Sequence, residues 1–204
     1  MGKHIPHTRG WGKNMTEQEI LQIFKDAGAL LDGHFVLTSG NHSPHYIEKF
    51  RVLEHPNYTE MLCRELAAKF EHDDVTVVVG PMTGGILLAY EVGKNLGTKA
   101  IFTERVDGKM KFRRGFTIKP DDRVLIVEDI ISTGGSVLEV IEEVEKFKAE
   151  IVGVGCLIDR SGGKAHFKYP FRPLVKMDVI AFKPDEVPEW LQKIPVTKPG
   201  STNK

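Results

Sequence analysis

The adjacent carboxylates Glu128 and Asp129 stand just ahead of a loop of small residues, Ser132 to Ser136. Four apolar residues precede the acids in a run typical of a strand buried on both faces, and a helix is predicted from about Val137 to Phe147. The backbone N–H groups of such a loop, with the positive end of the helix dipole, bind phosphate. A pure phosphate site would avoid acids, so they indicate a metal ion or sugar hydroxyls. The pattern predicts a site for a ribose phosphate.

The run from Val124 to Ser136 resembles the 5-phosphoribosyl pyrophosphate (PRPP) signature of type I phosphoribosyltransferases. Within that group it is most similar to the orotate phosphoribosyltransferases. A strand, a glycine loop and a helix can also form an ordinary βα turn, but the two acids make that alternative much weaker. The resemblance implies a PRPP-dependent transferase of pyrimidine biosynthesis.

The resemblance also implies roles for individual residues. Residues 132–136 would hold the 5′-phosphate, and Glu128 and Asp129 would bind the ribose hydroxyls and favour positive charge on the sugar. The residues assigned to PRPP are Arg105, Glu128, Asp129, Ile130, Ile131, Ser132, Thr133, Gly134, Gly135 and Ser136, and those assigned to catalysis are Lys109, Glu128 and Asp129. Mg²⁺ is the implied cofactor, held mainly by PRPP and water, and no protein ligand is assigned to it.

A second strand, Val75–Val79, is followed by another glycine loop, whose key residues are Met82, Thr83, Gly84 and Gly85. A helix is predicted after it, from Ile86 to Leu96. Taken alone, this loop fits a structural turn and an anion site equally well. Beside the signature, it resembles the pyrophosphate loop of the same family.

The charged segment from Glu104 to Gly115 follows a strand predicted at Lys99–Thr103. Its composition fits a solvated charged hairpin. In the orotate enzymes, however, the corresponding segment is a mobile loop that grips pyrophosphate, and relatives are dimers in which it reaches the neighbouring site. By this resemblance Arg105 matches the family arginine or the lysine beside it, and Lys109 is the candidate loop lysine. The segment is shorter than the longer family loops and lacks their histidine.

Arg160 follows a strand predicted at Ile151–Ile158. An arginine at the end of a strand is usually a surface ion-pair partner. The resemblance implies instead that Arg160, together with Ser132, binds orotate, because a guanidinium can meet a carboxylate through two hydrogen bonds. The 6-oxopurine transferases carry a carboxylate at the position of Ser132, which disfavours a purine substrate here.

Strands and helices alternate through the middle of the chain, which predicts an α/β fold with a central parallel sheet flanked by helices. The resemblance to type I phosphoribosyltransferases implies in addition a small N-terminal hood subdomain. In a parallel sheet ligands bind at the carboxyl ends of the strands, where all these loops lie. The predicted organisation is a flexible extension (1–14), an N-terminal helix and hood (15–70), a PRPP-binding core (71–165), a C-terminal strand and helix packing on the hood (166–190) and a tail (191–204).

The predicted hood contains strands at Gly33–Ser39 and Tyr46–Phe50, joined by a turn at Gly40–Pro44. A last strand, predicted at Val175–Phe182, need not belong to the main sheet. Three histidines in the hood suggest a metal cluster, but turn and surface roles are expected because no second group of ligands is spaced to join them. They are His34, His42 and His45.

The composition limits the classes of protein to which the chain can belong. The chain has 204 residues, equal numbers of basic and acidic residues, 41% hydrophobic residues and no run long enough to cross a bilayer. These values predict a cytoplasmic globular protein with no nucleic-acid or membrane partner, and the family resemblance implies that it is an enzyme and a homodimer. Cys63 and Cys156 are expected to be buried free thiols. The alternatives are a transferase for another base and a PRPP-sensing regulator without turnover.

Overall fold

The computed structural model describes residues 15–37, 39–178 and 180–197. Its helices and strands are, in chain order, α1 (Glu17–Asp26), β1 (Leu30–Val36), β2 (His42–Ile47), α2 (Phe50–Leu53), α3 (Pro56–Ala68), β3 (Val77–Pro81), α4 (Gly84–Leu96), β4 (Lys99–Val106), β5 (Lys109–Phe112), β6 (Arg123–Ile131), α5 (Gly135–Glu145), β7 (Glu150–Asp159), β8 (Phe171–Lys176), α6 (Glu189–Gln192) and β9 (Val196–Thr197). The predicted flexible extension, 1–14, and positions 198–204 of the predicted tail lie outside the described residues.

The main sheet has six strands in the order β5-β4-β3-β6-β7-β8. All neighbouring pairs are parallel except β4 and β5. Side chains of β6 alternate between two cores: Leu125 and Val127 pack with α3 and α4, whereas Val124 and Ile126 pack with α5. Burial on both faces explains the unbroken apolar run of this strand. The arrangement confirms the predicted α/β fold.

A second, three-stranded sheet has the order β2-β1-β9, and we call it the hood. Strands β1 and β2 are antiparallel, and β9 adds a short parallel edge to β1. Helix α1 begins at Glu17 and is capped by Thr16, whose side chain and that of Glu19 form a capping box. The hood boundary drawn from the sequence stays a prediction.

The second hood strand was predicted too late in the sequence. It runs from His42 to Ile47, while Phe50 already begins helix α2. The turn before it is tighter than predicted, because Leu37 and Asn41 close it with a backbone hydrogen bond of 2.8 Å. Gly40 supplies the positive φ (+83°) that this turn requires.

The last predicted strand, Val175–Phe182, was placed too late in the chain, and the sequence had left its sheet open. The observed strand, β8, lies at Phe171–Lys176 and pairs with β7 at the edge of the main sheet. Phe182 lies beyond it and forms a single antiparallel bridge to His42 of the hood. The apolar content of residues 175–182 indicated a strand there, but the segment that forms hydrogen bonds with β7 begins earlier, at Phe171.

Segment 104–115 is a hairpin, as its composition alone suggested. Strand β4 continues to Val106, and a two-residue turn at Asp107–Gly108 leads into β5. Both turn residues have positive φ, +48° and +77°, which fits the right-handed twist of a tight hairpin. The hairpin ends at Phe112, before strand β6, which carries the acid pair.

Both cysteines are free and buried, as predicted, and burial raises the pKa of each thiol. In the described part of the chain, no helix is long and apolar enough to cross a membrane.

Candidate active site

The loop between β6 and α5 forms a pocket of about 170 Å³. Its lining consists of Glu128 and residues 130–137, so it joins the predicted phosphate loop to one of the two acids. Gly134 immediately precedes α5 with a φ of +81°, and a Cβ there would lie 3.0 Å from the Phe167 ring. A larger residue is therefore excluded both by backbone conformation and by space. The loop presents the amino end of α5 to the pocket, where the helix dipole favours an anion.

The two acids at the end of β6 differ in environment. Asp129 is almost completely buried, at 1% exposure, and its Oδ1 accepts a 2.6 Å hydrogen bond from the backbone N–H of Ile130. Glu128 lines the pocket and accepts a 2.9 Å hydrogen bond from the backbone N–H of Asp129. Burial, followed by the negative charge of Asp129, raises the pKa of Glu128 to about 8. The pair therefore combines a buried carboxylate with a neighbour that binds a proton near neutral pH.

Lys49 is the cation at this acid pair, and it was missed from the sequence. Its Nζ lies 2.8 Å from both carboxylate oxygens of Asp129, with the hydrogen bond directed to Oδ1. Lys49 directly precedes α2, within the segment where the sequence indicated a strand. A single lysine in a segment of mixed charge gives no signal of a contact 80 positions away.

The loop after β3 touches the same acid pair. A Cβ on Gly84 would lie 1.7 Å from Asp129 Oδ2, and a Cβ on Gly85 would lie 2.8 Å from the Pro81 ring. Both glycines are therefore required by close packing. Met82 and Thr83 are exposed at the start of α4. The structure thus brings the predicted pyrophosphate loop beside the predicted ribose acids.

Arg160 directly follows β7 and contacts the phosphate loop. Its Nε donates to Ser132 Oγ at 2.7 Å, and its backbone N–H donates to the carbonyl of Ile131 at 2.9 Å. The two residues assigned to orotate are therefore in direct contact. Burial lowers the pKa of Arg160, although a guanidinium stays charged.

Tyr46, on hood strand β2, lies near Arg160 and Lys49. Burial, followed by the charge of Glu48, raises its pKa, while the charges of Arg160 and Lys49 lower it. The tyrosine therefore lies within electrostatic range of both cations. The sequence departed from the family pattern here, so its contribution could not be assigned in advance.

Arg105 and Lys109 lie on the hairpin and outside the pocket lining. The guanidinium of Arg105 contacts Glu139 of α5 at 3.1 Å and the carbonyl of Gly108. Lys109 is exposed at the first position of β5. The structure thus ties Arg105 to α5 and does not bring either residue to the acid pair within this chain.

The histidines of the hood hold no metal cluster: within the described residues, no group of three or more His, Cys, Asp or Glu could bind an ion. The expected surface role is wrong for His34, which is buried with its Nε2 2.6 Å from His42 Nδ1 and its Nδ1 3.0 Å from the carbonyl of Ile194. His45 pairs with Asp32 at 2.7 Å on the outside of the hood.

Comparison with known proteins places the chain in a family. Residues 51–187 match the phosphoribosyl transferase domain. The chain is 50% identical over 187 residues to the orotate phosphoribosyltransferase of Desulforamulus reducens, with 92% of this chain and 98% of that protein covered. Identity to the same enzyme from Caldicellulosiruptor saccharolyticus is 48%, with the same coverage of both chains.

Solved structures share the fold. Leishmania donovani UMP synthase superposes with a TM-score of 0.69 and 26% identity, covering 80% of this chain and 37% of that one. The Aeropyrum pernix orotate phosphoribosyltransferase has a TM-score of 0.64 and 24% identity, covering 78% and 93%. With 50% identity over 187 aligned residues to a relative covered almost completely, and with the signature loop, acid pair and glycine loop assembled at one sheet edge, the chain belongs to the orotate phosphoribosyltransferase family.

Proposed function

We propose that this chain catalyses the Mg²⁺-dependent transfer of 5-phosphoribose from PRPP to a ring nitrogen of orotate, giving orotidine 5′-phosphate and pyrophosphate. One observation carries the proposal. The phosphate loop and Glu128 line one pocket at the carboxyl end of β6, Asp129 lies next to Glu128, and Arg160 at the end of β7 contacts Ser132 of the same loop. Hydrogen-bond donors for a phosphate, acceptors for ribose hydroxyls and a cation for a carboxylate would thus lie next to one another, as the phosphate, ribose and base do in orotidine 5′-phosphate.

The ribose phosphate would bind at the end of β6. Backbone N–H groups and hydroxyls of residues 132–136 would hold the 5′-phosphate. Glu128 and Asp129 would accept hydrogen bonds from the 2′- and 3′-hydroxyls. Their negative charge would also stabilise the positive charge that develops on the ribose as its bond to pyrophosphate breaks.

Orotate would bind between Arg160 and the hood. The guanidinium of Arg160 already lies 2.7 Å from Ser132 through Nε, which fixes its plane. Its terminal nitrogens could then donate to the orotate carboxylate. Orotate is an electron-rich anion. As its ring nitrogen bonds to C1′ of the ribose and the bond to pyrophosphate breaks, the proton on that nitrogen would pass to the departing pyrophosphate or to solvent. Catalysis would therefore rest on positioning and charge stabilisation, with no nucleophilic side chain.

Pyrophosphate would leave past the loop of Met82, Thr83, Gly84 and Gly85, with Arg105 and Lys109 stabilising its charge. Mg²⁺ would neutralise the leaving group when bound. The residues present fit an ion carried by the substrate: Lys49 already supplies the cation at Asp129, and the described residues form no cluster of protein ligands. PRPP oxygens and water would therefore hold it.

A homodimer is part of the proposal. Helix α4 exposes Leu87 and Tyr90, 44% and 67% accessible, which is unusual for large apolar side chains on one helix and fits a self-association face. The hairpin that carries Lys109 lies outside its own pocket, so a neighbouring copy is the site that it would serve. We also propose a cytoplasmic location, which two free buried thiols fit.

Orotate absorbance, followed with PRPP and Mg²⁺, tests the function, with uracil, hypoxanthine and adenine as parallel acceptors. We expect turnover of orotate alone, stopped by a Mg²⁺ chelator. Turnover of another base would identify a different transferase. PRPP binding with no turnover of any base would identify a sensor, for which a salt-dependent shift on random DNA would be the next test.

A further inference from the structure

Lys49 links the hood side of the cleft to the catalytic core. Its backbone is held by α2, since its carbonyl accepts hydrogen bonds from the N–H groups of Val52 and Leu53 at 3.0 and 3.1 Å. Its side chain, about one third exposed (35%), crosses to Asp129 and passes 5.5 Å from the centre of the Phe50 ring. The backbone position is therefore fixed, while the ammonium remains accessible from the cleft.

Asp129 needs a counter-charge at its position. An ionised carboxylate removed from water is costly unless it is paired and hydrogen-bonded. The carboxyl of Glu128, on the preceding residue, adds a second negative charge when it ionises. Among the described residues, Lys49 is the cation that lies within ion-pair distance of Asp129. Without Lys49, the buried Asp129 carboxylate would have no cationic partner within the described part of the chain.

The two carboxylate oxygens of Asp129 have different surroundings. Oδ1 accepts hydrogen bonds from Lys49 and Ile130, whereas the buried Oδ2 lies against Gly84 and has Lys49 Nζ at 2.8 Å as an ion-pair partner, but accepts no directed hydrogen bond among the described residues. Buried polar oxygens are rarely left without a donor. A hydroxyl donor arriving in the cleft would complete this carboxylate.

We propose that Lys49 is a positioning residue of the PRPP site, pairing with the Asp129 carboxylate and holding it in place so that Asp129 binds the ribose hydroxyls. The inference rests on the proposed function and deepens it. Lys49 also reduces the negative charge that the acid pair presents to PRPP, whose phosphate and pyrophosphate are strongly anionic. Lys49, in the segment before α2, would therefore contribute to PRPP binding through Asp129, in addition to any contact between the hood and orotate.

Calorimetric titration with PRPP and Mg²⁺, in the absence of orotate, tests the role of Lys49. For Lys49→Gln and Lys49→Met we expect PRPP to bind roughly 10- to 100-fold more weakly, the range for a lost charged hydrogen bond. Lys49→Arg should stay within about threefold of wild type, because it keeps the charge. Lys146→Met, which removes a lysine at the far end of α5, is the matched control and should bind normally. Normal PRPP binding by Lys49→Gln would overturn the inference. If Lys49→Met fails to fold, the result for Lys49→Gln alone decides the test.

A double-mutant cycle shows whether Lys49 acts through Asp129. In an Asp129→Asn background, adding Lys49→Gln should weaken PRPP binding by less than about threefold, because the charge that Lys49 serves is already gone. A full, independent loss in the double variant would contradict action through Asp129. Inorganic phosphate, which only the loop would hold, should bind equally to wild type and Lys49→Gln, whereas ribose 5-phosphate should bind more weakly to the variant.

These outcomes separate the inference from the proposed function. A wild-type protein that binds PRPP but turns over no orotate would refute the proposed function while leaving the comparison of Lys49 variants intact. A wild-type enzyme that turns over orotate, with Lys49→Gln matching its KM for PRPP, would refute the inference alone. The expected kinetic signature is a raised KM for PRPP with the KM for orotate within about threefold of wild type.

Discussion

The end of β6 and the β4–β5 hairpin are both expected to bind PRPP, yet they are built in opposite ways. At β6, Asp129 is buried, paired with Lys49 and packed against Gly84, so the acceptor is in place before a substrate arrives. On the hairpin, Lys109 is exposed and Arg105 is engaged by Glu139. On the proposed roles of these residues, the ribose phosphate would meet a preformed site, whereas the leaving group would depend on residues that must be recruited.

The contrast also fits the different fates of the two ends of the substrate. The 5′-phosphate and ribose stay bound through the reaction and are served best by rigid donors and acceptors. Pyrophosphate must depart, and an exposed hairpin can release it. Glu139 holds Arg105 and also accepts a 3.0 Å hydrogen bond from the backbone N–H of Met110, so the hairpin rests on α5 when the chain is alone.

The largest expected effect tests the preformed side. Asp129→Asn preserves shape but removes the charge, and we expect kcat/KM to fall by about 100- to 1000-fold, the range for loss of one preorganised electrostatic group. Steady-state kinetics with PRPP and orotate measure it. Asp121→Asn, an exposed acid before the same strand, is the control and should behave as wild type. An Asp129→Asn enzyme of normal activity would remove the acid pair from the mechanism.

A second prediction concerns the base side of the preformed cleft. Arg160→Ala should raise the KM for orotate by roughly 10- to 100-fold, because a charged hydrogen bond to the orotate carboxylate is lost. The KM for PRPP should change little. Kinetics with each substrate varied in turn provide the measurement. An equal rise in both KM values would show that Arg160 supports the whole pocket through Ser132 rather than binding the base.

The hairpin gives a smaller, purely kinetic effect. Lys109→Ala should lower kcat by about tenfold and leave the melting temperature unchanged, since an exposed side chain contributes little to stability. Lys111→Ala is the matched control, because Lys111 pairs with Glu143 at 3.1 Å and should affect stability slightly but not kcat. The reverse pattern would assign the loop function to Lys111 and correct the family-based assignment of Lys109.

The smallest effect is a pH dependence set by Glu128. Its raised pKa of about 8 means that the carboxyl is mostly protonated at pH 7 and ionises as the pH rises. If the ionised form binds the ribose, kcat/KM for PRPP should rise about fivefold from pH 7 to 8, in proportion to the ionised fraction. Rate profiles of wild type and Glu128→Gln provide the check. A rise that persists in Glu128→Gln would belong to another group.

Local sequence was sufficient for the signature unit, since each of its parts is encoded over a few residues. The apolar run of Val124 to Val127 requires a strand buried on both faces, and Gly134 requires a positive φ at the start of α5. The loop after β3 was predicted for the same reason. Arg160 and Ser132 were assigned together only by family resemblance, and the structure places them 2.7 Å apart.

Errors arose where a residue's role depends on distant partners. The segment 175–182 has apolar content suited to a strand, but pairing with β7 selected Phe171–Lys176 instead. His34 has the polar character of a surface residue, yet His42 and the carbonyl of Ile194 satisfy it in a buried position. Neither partner can be identified from neighbouring residues.

The sequence by itself determined the α/β alternation, the phosphate loop and the acid pair, because periodicity, glycine placement and adjacent carboxylates are properties of short segments. Only the tertiary structure decided that Lys49 meets Asp129, that Gly84 packs against the same carboxylate, and that Arg105 is held by Glu139. Those contacts join segments that are far apart in the chain. They depend on how the strands are ordered and how the hood closes over the sheet, and no local pattern encodes that order.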